Sequence, residues 1–204
     1  LSSDSSQLAL ADVAFRGNRA YSGGGIESSA SDLTLNGVLF YDNGATDNYY
    51  GSGGGLHSFA SNLALQEVTF SVNWSRSRGG GIFGRSSQGT LTGVTFSGNE
   101  AENGSGMYNE ESDLVLVNVT FHGNRAHRAG GAIYSDESSP TLINVTVSGN
   151  AAVEGGGIYN RWQSFPTIQN SILWGNTAPT GPQISNTVGS TPTIRYSDIQ
   201  DSGG

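Results

Sequence analysis

Leu114-Val115-Leu116-Val117-Asn118-Val119-Thr120-Phe121 alternates apolar and outward-facing side chains, but the alternation slips by one residue at Val117-Asn118. Leu114 and Leu116 share a face before the slip, and Val119 and Phe121 share it afterwards. A period of two on either side of a one-residue offset predicts two short strands joined by a bend. Downstream, Gly130-Gly131-Ala132-Ile133 predicts a third short strand, and Glu137-Ser138-Ser139-Pro140 predicts a turn that brings the chain back to its start. No stretch carries the sustained i, i+3, i+4, i+7 spacing of an amphipathic helix.

This unit recurs. Asn18, Asn43, Asn73, Asn99, Asn124, Asn150 and Asn176 follow one another at intervals of 25, 30, 26, 25, 26 and 26 residues. Three positions before each stands Phe15, Phe40, Phe70, Phe96, Phe121, Val147 or Leu173, and two positions after each stands a small residue, Ala or Ser. Ile26, Leu56, Ile82, Met107, Ile133, Ile158 and Ile184 follow, most of them behind a Gly-rich run. A repeat of this length cannot bury its own apolar face, so it must stack on its neighbours.

Three short strands and three turns in about 26 residues describe one coil of an all-β parallel solenoid. The expected inward columns are Leu10 to Ile194, Val13 to Val145 and Phe15 to Ile199. Parallel crossovers are overwhelmingly right-handed, so the fold class is a right-handed parallel β-helix of about eight coils, the last partial. At the ~4.8 Å spacing of paired strands the rod is about 35–40 Å long. Residues 1–204 read as one domain, a piece of a longer surface protein.

Composition narrows function. The chain has 204 residues, 31 of them Gly, with 9 Arg, no Lys and 17 Asp plus Glu, for a net charge of −8. So acidic a surface repels phosphate backbones, which argues against a nucleic-acid partner. With no Cys, disulfides, thiolate metal sites and thiol nucleophiles drop out. Only 13% of residues are charged, so the chain is not disordered, and no apolar run reaches the ~18 residues that span a membrane.

The Asn column has a structural reading: an inner-turn ladder in which each carboxamide serves backbone amides and the next Asn. Asn also tolerates left-handed backbone, and Gly before the Ile allows close approach and positive φ. No Lys and no helix follow the Gly runs, so they do not form a phosphate cradle.

FRGN at 15–18, FSGN at 96–99 and FHGN at 121–124, with GGGI at 23–26, 79–82 and 155–158 and GGAI at 130–133, resemble the FxxN and GGA(I/L/V) tetrapeptides of bacterial polymorphic outer-membrane proteins. The coil is also similar to that of secreted β-helix proteins of the pectate-lyase-like superfamily. Asn170-Ser171-Ile172-Leu173-Trp174-Gly175-Asn176, GPQISN and TPTIRYSDIQ resemble the last coils of anchored bacterial surface proteins. The resemblance implies an extracellular or cell-surface passenger, often an adhesin, whose partner is a polysaccharide or a neighbouring cell surface. Coil ends that stop, as at Ser202-Gly203-Gly204, without an evident cap also allow end-to-end self-association into a filament.

Because related folds cleave glycans, a carboxylate pair or a base beside a bound cation would mark an enzyme. The densest acidic group is Glu100, Glu102, Glu110, Glu111 and Asp113. It reads as a solvated face paired across coils with Arg76, Arg78 and Arg85, weak Ca²⁺ binding being the alternative. His57, His122 and His127 share no ligand spacing, so no catalytic residue and no metal site are assigned. The expectation is a non-enzyme, with a polysaccharide lyase or glycosidase as the rival.

Two outward columns remain. Phe83, Tyr108, Tyr134 and Tyr159 follow the third-strand Ile and are expected to face outward beside a flat Gly strip, as a ligand-binding aromatic row. Thr69, Thr95, Thr120 and Thr146, with Thr34, Thr90, Thr141, Thr167 and Thr193 on the neighbouring strand, resemble ice-binding ranks, but Thr is also simply a good strand former. The sequons at Asn73, Asn103, Asn118 and Asn144 are largely generated by the repeat itself.

Overall fold

The computed structural model describes residues 1–47, 51–187 and 189–201; Ser202-Gly203-Gly204 lie outside them. The chain winds through four parallel sheets, in each of which a strand pairs with its equivalents in adjacent coils. One full coil shows the order: Met107–Glu110 in sheet A, Leu114–Val117 in sheet B, Thr120–His122 in sheet C and Arg125–Ala129 in sheet D. Sheets A, B and C each hold eight strands, which makes seven complete turns and a partial eighth; sheet D holds five. No helix is among the described residues.

The expected third strand over residues 130–133 begins only at Ile133 and runs to Asp136, and a further strand, Arg125–Ala129, precedes it, so each coil has four sides rather than three. Sheet D escapes pattern reading because it begins as pairs such as Arg19–Ala20, Gly44–Ala45 and Trp74–Ser75. Two residues are too few for alternation to register. Its signature was nevertheless present in the small residue after each Asn: Ala45 and Ala101 are fully buried where the corner is tight.

The four sides meet at four corners, and each corner turns on left-handed backbone. In the coil containing Leu114 these residues are Glu111 (φ 51°), Asn118 (55°), Gly123 (64°) and Gly130 (68°). Their equivalents repeat up the stack, for example Gly93, Asn144 and Asn170 at the corner between sheets B and C. The one-residue slip at Val117-Asn118 is therefore a single residue at positive φ, which redirects the strand without ending it. Glycine is required most strictly at the corner into sheet A. A Cβ on Gly79 (φ 64°) would lie 2.2 Å from the Ile82 carbonyl oxygen.

Inside, the expected columns form in strict register. Leu10, Leu35, Leu65, Leu91, Leu116, Leu142, Ile168 and Ile194 pair strand to strand along sheet B. Phe40, Phe70, Phe96 and Phe121 are completely buried. Their rings, with Phe15, stack at centroid separations of 4.6–5.1 Å and within 10° of parallel. Each fully buried side chain of this size stabilises the fold by about 1.5–3 kcal/mol.

Candidate functional site

The Phe83–Tyr159 row stands in register on sheet A, with His57 one coil earlier. It points away from the main core as expected, but it is not the exposed strip that the sequence suggested. Phe83, Tyr108, Tyr134 and Tyr159 are 4%, 3%, 5% and 9% exposed and form a second apolar cluster with Ala129. The reason is sheet D: in the two coils where it lengthens, to Glu100–Asn103 and Arg125–Ala129, it folds back over the rings. Tyr108 and Tyr134 stack at 4.4 Å and 10°, and the Arg78 guanidinium lies 5.3 Å from the Tyr108 ring centroid.

Between this row and sheet D runs a groove of about 420 Å³, lined by Arg78, Asn103, Arg128, Val153, Glu154, Arg161 and the edges of Tyr108, Tyr134 and Tyr159. Its polar tips are largely engaged with one another. Tyr108 Oη donates to Asp136 Oδ2 at 3.1 Å, and Tyr159 Oη meets Thr187 Oγ1 at 3.3 Å. Arg161 donates to Tyr134 Oη at 3.4 Å, and Glu154 Oε1 accepts from Ser185 at 3.0 Å. Burial pushes both the Tyr108 and Tyr134 hydroxyls above the usual phenol range, so they remain protonated donors at neutral pH.

The acidic group of the fourth repeat is dispersed over three sides of the coil. Arg78 pairs with Glu110 at 2.8 Å and Arg85 approaches the same carboxylate at 3.8 Å. Glu100 meets His127 at 2.8 Å and Glu102 meets Arg128 at 3.9 Å. Glu111 accepts from Ser86, and Asp113 accepts the backbone N–H of Ser139. Cross-coil ion pairs of this exposure are worth about 0–1 kcal/mol each. Arg76 lines a second groove beside Trp74, Glu100, Glu102 and His127. Among the described residues no group of three or more His, Asp or Glu is placed to hold a metal ion.

The Asn column is a continuous ladder. Each Oδ1 accepts two donors from the preceding Asn, its backbone N–H and its Nδ2, as for Asn73 to Asn99 at 2.9 and 3.1 Å. From Asn43 to Asn150 each Nδ2 also donates to a Phe carbonyl one coil back, as Asn99 does to Phe70 at 2.9 Å, and Asn176 donates to the Val147 carbonyl. The same pattern links Asn18 to Asn43, Asn43 to Asn73, Asn99 to Asn124, Asn124 to Asn150 and Asn150 to Asn176. The ladder residues do not themselves adopt left-handed backbone. The residue before each of them does: Gly17, Asp42, Val72, Gly98, Gly123, Gly149 or Gly175. The final rung is Gln183, whose Oε1 accepts from Asn176 Nδ2 at 2.6 Å in place of a further Asn.

A second ladder went unread in the sequence. Ser31, Ser61, Ser87, Ser112, Ser138, Ser164 and Ser190 follow the corner between sheets A and B, and each backbone N–H donates to the next Oγ at 2.9–3.2 Å. The signal was available: their spacing is 30, 26, 25, 26, 26 and 26 residues, the Asn rhythm over again. Ser is common enough in this chain that the column blends into the turns. The Thr ranks also hold register, with Thr69, Thr95, Thr120 and Thr146 paired in succession on the outer side of sheet C.

No helix of the described residues is long and apolar enough to cross a membrane. No curated protein and no solved structure matches the chain. The family model described as a right-handed β-helix region matches residues 2–152 and again 80–204, overlapping in the middle as a repeat allows. With its coils, registers and corner ladders in view, the chain belongs to the right-handed β-helix family.

Proposed function

We propose that this chain is part of a non-enzymatic extracellular β-helix of structural or adhesive kind, of the polymorphic outer-membrane or secreted surface-protein type that its FxxN and GGxI tetrapeptides resemble. One observation carries the reading. The polar groups of the groove that gathers Arg, Tyr and Glu are bonded to each other and to neighbouring coils, as in Tyr108–Asp136 and Arg78–Glu110. Its carboxylates do not flank a common space as the pair of a glycosidase would. A partner in the form of a polysaccharide or a neighbouring cell surface fits such a rod, which presents extended flat faces instead of a closed cavity.

The second reading, a polysaccharide-acting enzyme, is favoured by the same groove, where Arg78, Arg128 and Arg161 stand near Glu154. The deciding experiment incubates the purified chain with pectin, alginate and glycosaminoglycans, with and without Ca²⁺, and measures new reducing ends and unsaturated products. No product above blank supports the structural reading. Product formation lost in Arg78→Ala or Glu154→Gln overturns it.

A further inference from the structure

Charge in this molecule is strongly segregated. Residues 68–75, 86–99, 114–124, 138–153 and 162–183 contain no Asp, Glu, Arg or Lys, although the whole chain carries 26 such residues and a net charge of −8. Those stretches build sheets B and C and the corner between them from the fourth coil to the seventh, and sheet C of the third. Arg85, Glu100, Glu102, Glu110, Arg128 and Glu154 all fall on sheets A and D or beside them. From the fourth coil to the seventh one flank of the rod is therefore charged and the other nearly neutral; Glu67 stands at the B–C corner of the third coil, Asp113 directly before a sheet B strand, and His122 on sheet C.

The neutral flank is flat and hydroxyl-rich. Along sheet C, Thr69, Thr95, Thr120 and Thr146 form one half-buried row. Ser71, Ser97, His122 and Ser148 form the next. Rows repeat at the ~4.8 Å strand spacing. At one end, a single coil exposes Phe165, Ile172 and Trp174 to 49%, 47% and 51%. Tyr41 stands in the same outward column as Trp174, five strands away in the charged second coil, where the Arg16 guanidinium lies 5.5 Å from its ring centroid.

We propose that this B–C flank is a docking surface for a neutral polysaccharide chain lying along the rod. The absence of charge disfavours an ionic ligand, since nothing on the flank offsets the desolvation of an anion or a cation. Threonine and serine hydroxyls both donate and accept, which matches the hydroxyls of uncharged sugars. Exposed Trp174 offers a flat apolar face on which a sugar ring rests. A second copy of the chain is the poorer occupant, because the centre of the flank holds hydroxyls where a stable protein interface concentrates large apolar side chains. The inference deepens the adhesive reading and rests on it.

The test is depletion of the purified chain from solution by insoluble cellulose, chitin and β-1,3-glucan, with immobilised pectate as the charged comparator and the supernatants assayed for released sugar. The expected result is retention on at least one neutral polysaccharide, unchanged between low and high salt. Trp174→Ala should weaken it up to about tenfold, the scale of one lost aromatic contact. The double substitution Thr95→Glu with Thr120→Glu should abolish it, while Arg125→Ala on the charged flank should leave it intact. Circular dichroism confirms that each variant is folded. Absence of retention on every neutral polysaccharide overturns the proposal, as does retention that folded Thr→Glu and Trp174→Ala variants keep, or that appears only on pectate. Released sugar overturns the non-enzymatic reading instead, so the two failures are distinguishable.

Discussion

At the level of single residues, the corners carry most of the strain. Val72 adopts φ 57° at a position where Gly17, Gly98, Gly123, Gly149 and Gly175 stand in other coils. A β-branched residue in left-handed backbone pays about 1–2 kcal/mol, partly offset by glycine's greater unfolded-state entropy. Val72→Gly should therefore raise stability by about 1 kcal/mol, read as a higher denaturation midpoint with unchanged slope; an unchanged or lower midpoint would mean that the 47%-exposed side chain packs better than its surroundings indicate. His57 is the half-buried imidazole at the end of the aromatic row. Burial lowers its pKa below the usual imidazole value near 6.5, Arg85 adds to the effect, and Glu27 at 3.6 Å opposes it. Below that pH the unfolded imidazole takes up a proton more readily than the folded one, so stability falls as pH drops from neutrality through 6.5. His57→Gln should remove this component, which urea titrations of both proteins at pH 7.5 and about pH 5.5 would resolve.

At the level of the elements, ladders and strands depend on each other. Asn99 supplies the acceptor for the Asn73 N–H and Nδ2 and the donor for the Phe70 carbonyl, all inside the rod. Replacement by Ala strands several of these groups without water, at about 1–3 kcal/mol each. Asn99→Ala should thus cost about 4 kcal/mol in a denaturant titration, where an exposed polar-to-Ala change costs well under 1 kcal/mol. Sheet D shows how an element can be hidden. Its register was implied by the small residue after each Asn, but its consequence, burial of Tyr108 and Tyr134 beneath Asn103 and Ala129, depends on two strands folding back across a neighbouring side. Alternation within one strand tells which residues face away from the core. It says nothing about whether another strand lies over them.

For the whole molecule, nearest-neighbour stacking sets the stability profile. Every coil is held by the one before and the one after, so the terminal layers of this chain have one neighbour each. Leu8, Leu10 and Ile184 are only partly buried and Ile194 is 41% exposed, whereas their equivalents in the middle coils are closed to solvent. Amide exchange should be slowest across Phe70 to Val147 and should quicken toward both ends of the rod. Uniform protection along all coils would contradict a nearest-neighbour origin. The same stacking turns single-residue chemistry into surfaces: one Thr is incidental, but Thr69, Thr95, Thr120 and Thr146 in register form a row.

Sequence alone determined the winding, because a 25- to 30-residue recurrence of Phe, Asn and Ile with a period of two in between admits few other ways to bury its apolar positions. It determined the inward columns and the Asn ladder for the same reason: identical residues at identical phase must stack. Only the tertiary structure decided what became of the outward-facing residues. The fourth side of each coil, the covering of Phe83 to Tyr159, the serine ladder and the division into charged and neutral flanks arise from how different sides of the coil meet across a corner. That geometry depends on corner angles and on how far each strand extends past its corner, and neither is encoded in the apolar rhythm.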